Sequence, residues 1–409
     1  MIIEIQEKGE QSLTNEIIEN SKVHRIKELF IVALKLGLTS FGGPTAHIGY
    51  FHNEYVKKRK WLDEKAFADL VALCQFLPGP ASSQVGMGIG MMRAGITGGA
   101  ASFLGFTLPS VIMLVLFAYF LKGLDITHQG WLHGLKIVAV VIVFQAVLDM
   151  GKKLAAGKWK SGIAILAAAV VLLWPSSISQ LMVIAASGTA GYLFFKTGSV
   201  EKKNTLPIPI SKKTSITAAV LFVCFLIILP FLAKWSGIDG LELFDRFYRS
   251  GALVFGGGHV VLPLLERELV PTGWVSKEAF LAGYGATQAV PGPLFTFSSY
   301  LGAVIGGWKG AAITTAAIFL PAFLLIAAAL PYWDLLRRKP GIQGVFAGVN
   351  AAVVGILLAA LYNPIFVTSI LTGRDFAFAA VLFGLFNIWR LPPWLTVVLG
   401  PSEVYYFYN

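Results

Sequence analysis

The sequence is poor in charged residues. Only 13% of its 409 residues are Asp, Glu, Lys or Arg, whereas a typical soluble domain carries roughly 25%. Hydrophobic residues make up 56% of the chain, and the mean hydropathy is +0.70. So few charges cannot cover a water-soluble globule of this size, which excludes a soluble enzyme, a disordered protein and a fibrous protein. A polytopic membrane protein remains, with room for roughly ten to twelve spans of about 20 apolar residues.

The sequence also lacks the motifs of several function classes. Its two cysteines, Cys74 and Cys224, both lie in apolar runs, so no disulfide framework is implied. We find no phosphate-binding Gly-x-x-x-x-Gly-Lys-Ser/Thr loop, no Gly-x-Ser-x-Gly elbow and no His, Cys and carboxylate set with metal-ligand spacing. We therefore expect neither an enzyme nor an ATPase, and no cofactor or metal.

The net charge of +11 fits a membrane better than a nucleic acid. Most basic residues lie in the loops between apolar runs, where they suit anionic lipid and the positive-inside bias. A lipid bilayer is therefore an expected partner, and a nucleic acid is not. Residues 1–28 mix both charge signs without an apolar core, so they predict a cytoplasmic leader rather than a cleavable signal.

Internal repetition is the most informative feature that is present. Residues 41–43 and 255–257 both read Phe-Gly-Gly, and 75–80 matches 288–293 in its Gln and its Pro-Gly-Pro. Further matches in the same register pair Trp61 with Trp274 and Pro109 with Pro321. Duplicated halves with helix breaks at corresponding positions are typical of secondary transporters. The prediction is an all-α polytopic membrane protein of two homologous helical halves, with broken or re-entrant helices at the Pro-Gly-Pro motifs.

The boundaries follow from the repeat and from the polar stretches. We predict a leader at 1–28, a first repeat at 29–197, a linker at 198–213, a connecting helix at 214–240 and a second repeat at 241–409. If the segment 65–95 doubles back within the membrane, an even number of membrane crossings separates equivalent positions and the two halves run parallel. If the segment crosses the membrane once, that number is odd and the halves are inverted. We favour inversion by analogy with transporters whose halves carry breaks at mid-membrane.

Each Pro-Gly-Pro must end one helix and allow another to begin, because proline lacks an N–H yet suits the first helical position. The new helix then presents free amides, with nearby hydroxyl and amide side chains. Such a helix N-terminus attracts anions without requiring a buried lysine. The alternative is an ordinary proline kink. The predicted substrate-binding residues here are Gln75, Pro78, Gly79, Pro80, Ala81, Ser82, Ser83, Gln288, Pro291, Gly292, Pro293, Leu294 and Thr296.

The Phe-Gly-Gly motifs form a second pair of breaks. Their bare glycines permit close approach of a ligand or, equally, of a neighbouring helix. A cation lies six residues before each motif and fits attraction of an anion, although a long side chain can instead snorkel to the interface. These further substrate-binding candidates are Gly42, Gly43, Gly256, Gly257, Lys35 and Arg249.

Three residues are candidates for proton coupling. His47 and His259 follow the two Phe-Gly-Gly motifs, and histidine changes its charge near neutral pH. The alternative is that they are structural hydrogen-bond donors. Asp69 lies within the apolar segment before Gln75, where an acid is costly and therefore suggests a function.

The chain resembles the long, two-domain members of the chromate ion transporter family. The resemblance lies in Phe-Gly-Gly with a following histidine, then Trp and Phe, then Gln-x-x-Pro-Gly-Pro, occurring twice between about residues 25 and 405. It implies chromate efflux across a bacterial inner membrane, driven by the membrane potential or a proton gradient, with sulfate as a mimic. The motif positions that carry over are Phe41, Gly42, Gly43, Pro78, Gly79, Pro80, Phe255, Gly256, Gly257, Pro291, Gly292 and Pro293.

The sequence thus predicts a secondary transporter that exports chromate or a similar tetrahedral oxyanion from the cytoplasm. The alternative is a proton-coupled importer of sulfate or another oxyanion, in which Asp69 or a histidine carries the proton. A homodimer is left open.

Overall fold

The computed structural model describes residues 22–41, 43–122, 130–195, 209–254, 260–332 and 340–389. The described part is built from helices, in agreement with the predicted all-α class. The first repeat contains α1 (22–39), α2 (Gly43–Phe51, followed by a π-helical turn His52–Lys58), α3 (Glu64–Phe76), α4 (Ala81–Lys122), α5 (Gly130–Leu154), α6 (Lys158–Leu173) and α7 (Ser177–Phe194).

Helix α8 (Lys212–Ser236) connects the halves and starts at an N-cap, because the Ser211 side chain accepts from the Thr214 amide. The second repeat contains α9 (Asp239–Ala252), α10 (Val261–Leu269), α11 (Lys277–Ala289), α12 (Phe297–Ala329, preceded by a 3₁₀ turn Leu294–Thr296), α13 (Pro340–Ala360, followed by a π-helical turn Leu361–Phe366) and α14 (Gly373–Asn387). Helices α8 and α9 each begin two residues before the predicted boundaries at 213/214 and 240/241, whereas α1 begins at residue 22, inside the predicted leader 1–28. The domain boundaries stay predictions.

Equivalent helices begin and end for the same physical reasons in both repeats. Helix α3 is capped by the Asp63 side chain, which accepts from the Ala66 amide, and α11 is capped in the same way by Ser276 and Ala279. Both helices have 13 residues. Both end just before a Pro-Gly-Pro, so the predicted helix breaks are present.

The chain reverses direction at each Pro-Gly-Pro. A Cβ placed on Gly88 would lie 2.8 Å from Leu70 Cδ1, although a continuous helix would separate these positions by about 27 Å. In the second repeat the Tyr300 hydroxyl donates to the Ala279 carbonyl at 2.8 Å across the equivalent break. In each repeat the helices on the two sides of the break therefore pack antiparallel as a hairpin.

A second reversal divides α4 and α12. Ala94 and Gly95 adopt non-helical dihedrals, and Gly306 and Gly307 adopt nearly the same pair. Gly95 and Gly307 have φ of 67° and 60°, which only glycine adopts without strain. Each long helix is therefore two antiparallel arms, named α4a (81–93), α4b (96–122), α12a (297–305) and α12b (308–329).

The equivalent arms α4b and α12b run antiparallel to each other. The rings of Phe103 and Phe319 lie 5.1 Å apart, and those of Tyr119 and Trp308 lie 6.0 Å apart. Residue numbers therefore increase along α4b in the direction in which they decrease along α12b. Because these arms are equivalent in the two repeats, the halves are inverted along them. These antiparallel arms disagree with the count of crossings that makes the halves parallel when the segment 65–95 doubles back.

Among the described residues, four helical segments are long and apolar enough to cross a membrane. They lie within Ala81–Lys122, Lys212–Ser236, Leu294–Tyr332 and Gln343–Ser369, and in the two divided helices only the longer arms, α4b and α12b, are long enough. The expected ten to twelve spans stay a prediction. Helix α8 exposes much of its apolar surface and packs on α9 and α12, so its outer face suits contact with lipid.

The arm reversals generate a stability prediction. A Cβ at Gly90 would overlap the Gly98 carbonyl oxygen, which belongs to backbone and cannot turn away. We expect Gly90→Ala to destabilise the protein by about 1–3 kcal/mol through overpacking, measured as a lower midpoint of thermal unfolding in detergent. Gly306→Ala is the matched control, because nothing lies within 4 Å of a Cβ there. Equal midpoints for the two variants would contradict the close packing of the arms.

Candidate functional site

Each Pro-Gly-Pro glycine is held by the backbone of the opposite repeat. The Gly79 amide donates to the Val254 carbonyl at 2.6 Å, and the Gly292 amide donates to the Ser40 carbonyl at 2.9 Å. Val254 and Ser40 are the residues that immediately precede the two Phe-Gly-Gly motifs. The duplicated motifs therefore meet crosswise, the break of one repeat against the start of the Phe-Gly-Gly motif of the other.

Glycine is required at both breaks for conformation and for space. Gly79 and Gly292 have φ of 115° and 105°, a region that side chains disfavour. A Cβ on Gly79 would lie 3.0 Å from the Ala322 Cβ, and one on Gly292 would lie 2.8 Å from Ser110 Oγ. Both contacts cross to the opposite repeat, so a side chain at either glycine would push the halves apart.

The first break presents the beginning of α4a. The helix starts at Ala81, as predicted, and no backbone carbonyl of the described residues accepts from the amides of Ala81, Ser82 or Ser83. The Gln84 amide group donates to the Pro78 carbonyl at 2.9 Å and so stabilises the break. Ser83 Oγ is buried and has no partner among the described residues. This end of α4a therefore keeps donors available for an anion.

The second break is built differently. A 3₁₀ turn, Leu294–Thr296, comes before α12a, so this helix begins later than α4a. The Thr296 hydroxyl donates to the Pro293 carbonyl at 2.7 Å, and the Ser299 hydroxyl donates to the Thr296 carbonyl at 2.6 Å. These hydroxyls already satisfy local backbone, so the two breaks are chemically unequal.

A cavity lies at each break. The cavity at the first break has a volume of about 490 Å³ and the one at the second about 120 Å³; we call them the large and the small cavity. Equivalent residues line both. They are Gln75, Leu77, Gly79 and Ala81 in the large cavity and Gln288, Val290, Gly292 and Leu294 in the small cavity. The small cavity equals about four times the volume share of a water molecule in the liquid, which suits a single small ion.

Gln288 offers a donor to the small cavity. Its side chain is only 8% exposed, and its Nε2 has no partner in the described structure. A buried amide without a partner is costly, so the Gln288 amide is a donor that a ligand in the small cavity could satisfy. Gln75, its counterpart, is exposed and lines the large cavity. The prediction that the two glutamines lie beside the breaks is therefore consistent with the structure.

Helix α5 lines both cavities, and the sequence reasoning missed its role. Asp149 lines the large and the small cavity alike. Lys153 lies one turn further on and lines the large cavity, while Gln145 lines the small one. The sequence shows only an acid and a lysine at the end of an apolar stretch, which is ordinary at a membrane boundary.

The two predicted cations do not line either cavity. Arg249 forms an ion pair with Asp245 at 2.9 Å on its own helix. Lys35 is exposed on α1 and lies near Glu54. Burial raises the pKa of Glu54, but a hydrogen bond from Arg59 and the charges of Lys35 and other nearby cations outweigh it, so its pKa lies below the usual value. Both cations thus have an acid close by, and their role in anion binding stays a prediction.

The remaining predicted residues are distributed as follows. His47 is buried, with Nδ1 3.3 Å from Ser82 Oγ at the start of α4a. Gly43 lines the small cavity. Asp69 is half-buried on α3 and is not among the residues that line the two cavities. Residues outside the described part are Gly42, Phe255, Gly256, Gly257 and His259.

Comparison with known proteins agrees with the division into two repeats. The model of a family described as "Chromate transporter" matches residues 27–192 and again 241–402, which are the two repeats. The chain belongs to the chromate transporter family. This confirms the resemblance found in the sequence, and it makes the protein a multi-pass membrane transporter and not an enzyme.

Relatives support the same assignment. A probable chromate transport protein of Synechococcus elongatus is 26% identical and aligned over 85% of this chain and 86% of its own length. The chromate transport protein of Pseudomonas aeruginosa is also 26% identical, over 81% and 79%. An uncharacterized transporter of Bacillus subtilis is 25% identical over 43% of this chain but 90% of its own length, so it is about the size of one repeat. No solved structure matches the chain.

The breaks generate a transport prediction. In this transporter, Gly79→Val and Gly292→Val place a branched side chain at positive φ against the opposite repeat. We expect both variants to insert into the membrane and to lose oxyanion flux, measured in inverted vesicles with labelled chromate.

The control for these variants is Gly237→Val. Gly237 also has positive φ, but it lies at the end of α8 with nothing within 4 Å of a Cβ. It should keep most of the flux. If Gly79→Val and Gly292→Val transport chromate at the wild-type rate, the two helix breaks are not part of the transport mechanism.

Proposed function

We propose that this family member is a secondary transporter that exports chromate from a bacterial cytoplasm across the inner membrane. The observation that carries the proposal is the pair of cavities at the two broken helices. Each is lined by a break whose helix N-terminus has positive character, and the large cavity adds Lys153. Such a lining offers hydrogen-bond donors to a small anion in both cavities and a lysine in the large one, while Asp149 is the acid beside them.

The geometry supports tetrahedral oxyanions as a class rather than chromate alone. Backbone amides and the side-chain amides of Gln75 and Gln288 donate hydrogen bonds to the oxygen atoms of an oxyanion. These contacts do not distinguish chromium from sulfur as the central atom. Sulfate, a dianion of similar shape, is therefore an expected competitor.

Energetics favours export over import for an uncoupled dianion. A potential of −100 mV contributes about 2.3 kcal/mol per charge, so an outward-moving dianion gains about 4.6 kcal/mol. Export then needs no other energy source, although a proton gradient can modify it. Import would need several cations moving with the anion.

A proton-coupled oxyanion importer is the second candidate. It is favoured by one observation, the acid Asp149 that faces both cavities, since a carboxylate can carry a proton alongside an anion. Cells that express an importer would accumulate the oxyanion and become sensitive to chromate, whereas cells with an exporter become resistant.

The test is flux in reconstituted vesicles. Purified protein is placed in liposomes with a potassium gradient, and valinomycin sets the potential. We expect chromate to leave the negative compartment at a rate that increases with the imposed voltage, and sulfate to compete with it. Flux that ignores both voltage and pH would contradict the proposal.

The variant Gln288→Ala tests whether the oxyanion binds in the small cavity during transport. Gln288→Ala removes the unpartnered amide in the small cavity, so we expect weaker anion binding and a KM raised about threefold to tenfold, corresponding to roughly 0.7–1.4 kcal/mol. Gln180→Ala is the control, because Gln180 is also buried with an unpartnered amide group but lies on α7 and lines neither cavity. An unchanged KM in Gln288→Ala would exclude the small cavity from the transport path.

A further inference from the structure

We propose that the transporter binds an acyl chain of an anionic bilayer phospholipid in an apolar cavity between α5 and α14, and that the bound chain favours oxyanion binding in the small cavity. The lipid site stands on its own geometry. Its effect on the oxyanion rests on the proposed function, because it concerns the same anion cavity.

The apolar cavity has a volume of about 440 Å³, and its walls are α5, the end of α13 with its π-helical turn, and α14. Two direct contacts between α5 and α14 bound it. His133 pairs with Asp375 at 2.8 Å, and the ring centroids of Phe144 and Phe383 lie 5.2 Å apart. The two helices therefore touch at both ends of the cavity and are separated between them.

The sequence explains this separation. The equivalent helix pair in the duplicated chain is α6 and α13, where a Cβ on Gly355 would overlap the Ala164 carbonyl oxygen. The residue 214 positions before Gly355 is Val141, which lines the apolar cavity, and the residue 214 positions after Ala164 is Phe378. Small residues permit backbone contact between α6 and α13, whereas bulkier residues keep α5 and α14 apart.

The lining of the apolar cavity does not suit water. Of the described residues that line it, Tyr362 alone carries a polar side-chain atom. A buried water needs two to four polar partners, and a dry apolar cavity of about 150 Å³ already binds benzene. This cavity is about three times as large, so its walls would lose many dispersion contacts if it stayed empty. A flexible hydrocarbon chain supplies those contacts.

The apolar cavity opens at the surface that meets the bilayer. Leu358, Tyr362 and Phe376 line it and are also exposed. The first two belong to Gln343–Ser369, a segment long and apolar enough to cross a membrane. The surrounding medium at that depth is lipid hydrocarbon. An acyl chain gains packing contacts by entering the cavity, since transfer out of lipid brings no hydrophobic gain.

An exposed cation suits the headgroup of the same lipid. Arg374 lies in the first turn of α14, two residues before the lining Phe376. Its neighbour Asp375 is buried, pairs with His133 and accepts from the Thr372 amide. Basic side chains beside membrane helices attract lipid phosphate. The charge at this end of the cavity therefore favours an anionic phospholipid.

The apolar cavity and the small cavity share two walls. Helix α5 lines the apolar cavity with Val141 and Phe144 and the small cavity with Gln145, which lies on a different face of the same turns. Helix α14 lines the apolar cavity with Phe383 and the small cavity with Phe386, about one turn further on. The distance between α5 and α14 therefore affects both cavities.

A bound acyl chain fixes this distance. Without the chain, α14 can move towards α5 to fill the gap, and the shape of the small cavity changes with it. The lipid thus stabilises the helix arrangement in which the small cavity is present. By linkage, a bound oxyanion favours the lipid to the same degree.

The first experiment locates the lipid. The full chain is placed in liposomes that contain a phosphatidylglycerol with a photoactivatable diazirine in one acyl chain, and labelled peptides are mapped by mass spectrometry. We expect label in 140–144 and 376–383, and loss of most of it in Ala380→Trp, because Ala380 lines the apolar cavity. Ala219→Trp is the matched control: Ala219 is an exposed alanine on α8 that lines none of the three cavities, so this variant should be labelled like the wild type.

Two results would overturn the lipid site. One is absence of label from 140–144 and 376–383 in the wild type, as expected if a second copy of the chain or the protein itself fills the cavity. The other is label there that Ala380→Trp does not reduce, which would indicate ordinary boundary lipid. The wild-type result can refute the site even if Ala380→Trp fails to fold.

The second experiment measures the coupling. Radiolabelled sulfate binds to the purified full chain in detergent, with and without added phosphatidylglycerol, in equilibrium dialysis. We expect the lipid to lower the sulfate Kd of the wild type and of Ala219→Trp by about fivefold or more. In Ala380→Trp the indole occupies the site of the acyl chain, so the lipid should have little effect on its Kd.

The outcomes separate the two proposals. A wild-type sulfate Kd that is equal with and without lipid overturns the coupling and leaves the transport proposal intact. Labelled lipid in the apolar cavity without sulfate binding under either condition contradicts the proposed oxyanion site and leaves the lipid site in place.

Discussion

The structure depends on two reciprocal hydrogen bonds, from the Gly79 amide to the Val254 carbonyl and from the Gly292 amide to the Ser40 carbonyl. In an environment without water, a polar backbone group at a helix break needs a protein partner. Neither repeat supplies that partner by itself, because the acceptor belongs to the other half. The interruption of each helix therefore also joins the two halves.

This constraint also explains where the cavities are. Each Pro-Gly-Pro break must lie close to the residue that precedes the Phe-Gly-Gly motif of the opposite repeat. The helices that meet at each break are short, because the chain reverses direction there. A cavity lined by helix ends remains at each break, and α5 lines both cavities. Because the 3₁₀ turn at Leu294 and the hydroxyl bonds of Thr296 occur only in the second repeat, the two cavities differ in size and in available donors. The duplication thus supplies two related sites that have become unequal.

The balance of charge in the path follows the same logic. Partial charges at helix ends attract an anion at lower desolvation cost than a fully buried cation. The full charges at the cavities, Asp149 and Lys153, lie on α5 and are not repeated, since residues 363 and 367, which lie 214 positions later, are Asn and Val. The two repeated helix breaks therefore provide the donors for an anion, and the unrepeated Asp149 and Lys153 set the net charge beside them.

Much of this protein could be read from its sequence. Low charge density determined the membrane class, the register of Phe-Gly-Gly and Pro-Gly-Pro determined the duplication, and proline and glycine chemistry determined the breaks at Gly79 and Gly292. These features are local or periodic, so a single chain displays them directly. The tertiary structure alone decided that the motifs meet crosswise, that Gly95 and Gly307 fold the long helices back, that the equivalent arms run antiparallel, and that Asp149 faces both cavities. Each of these is a contact between residues far apart in sequence, set by how whole helices pack, and no local pattern around Asp149 or Val254 distinguishes such a partner from its neighbours.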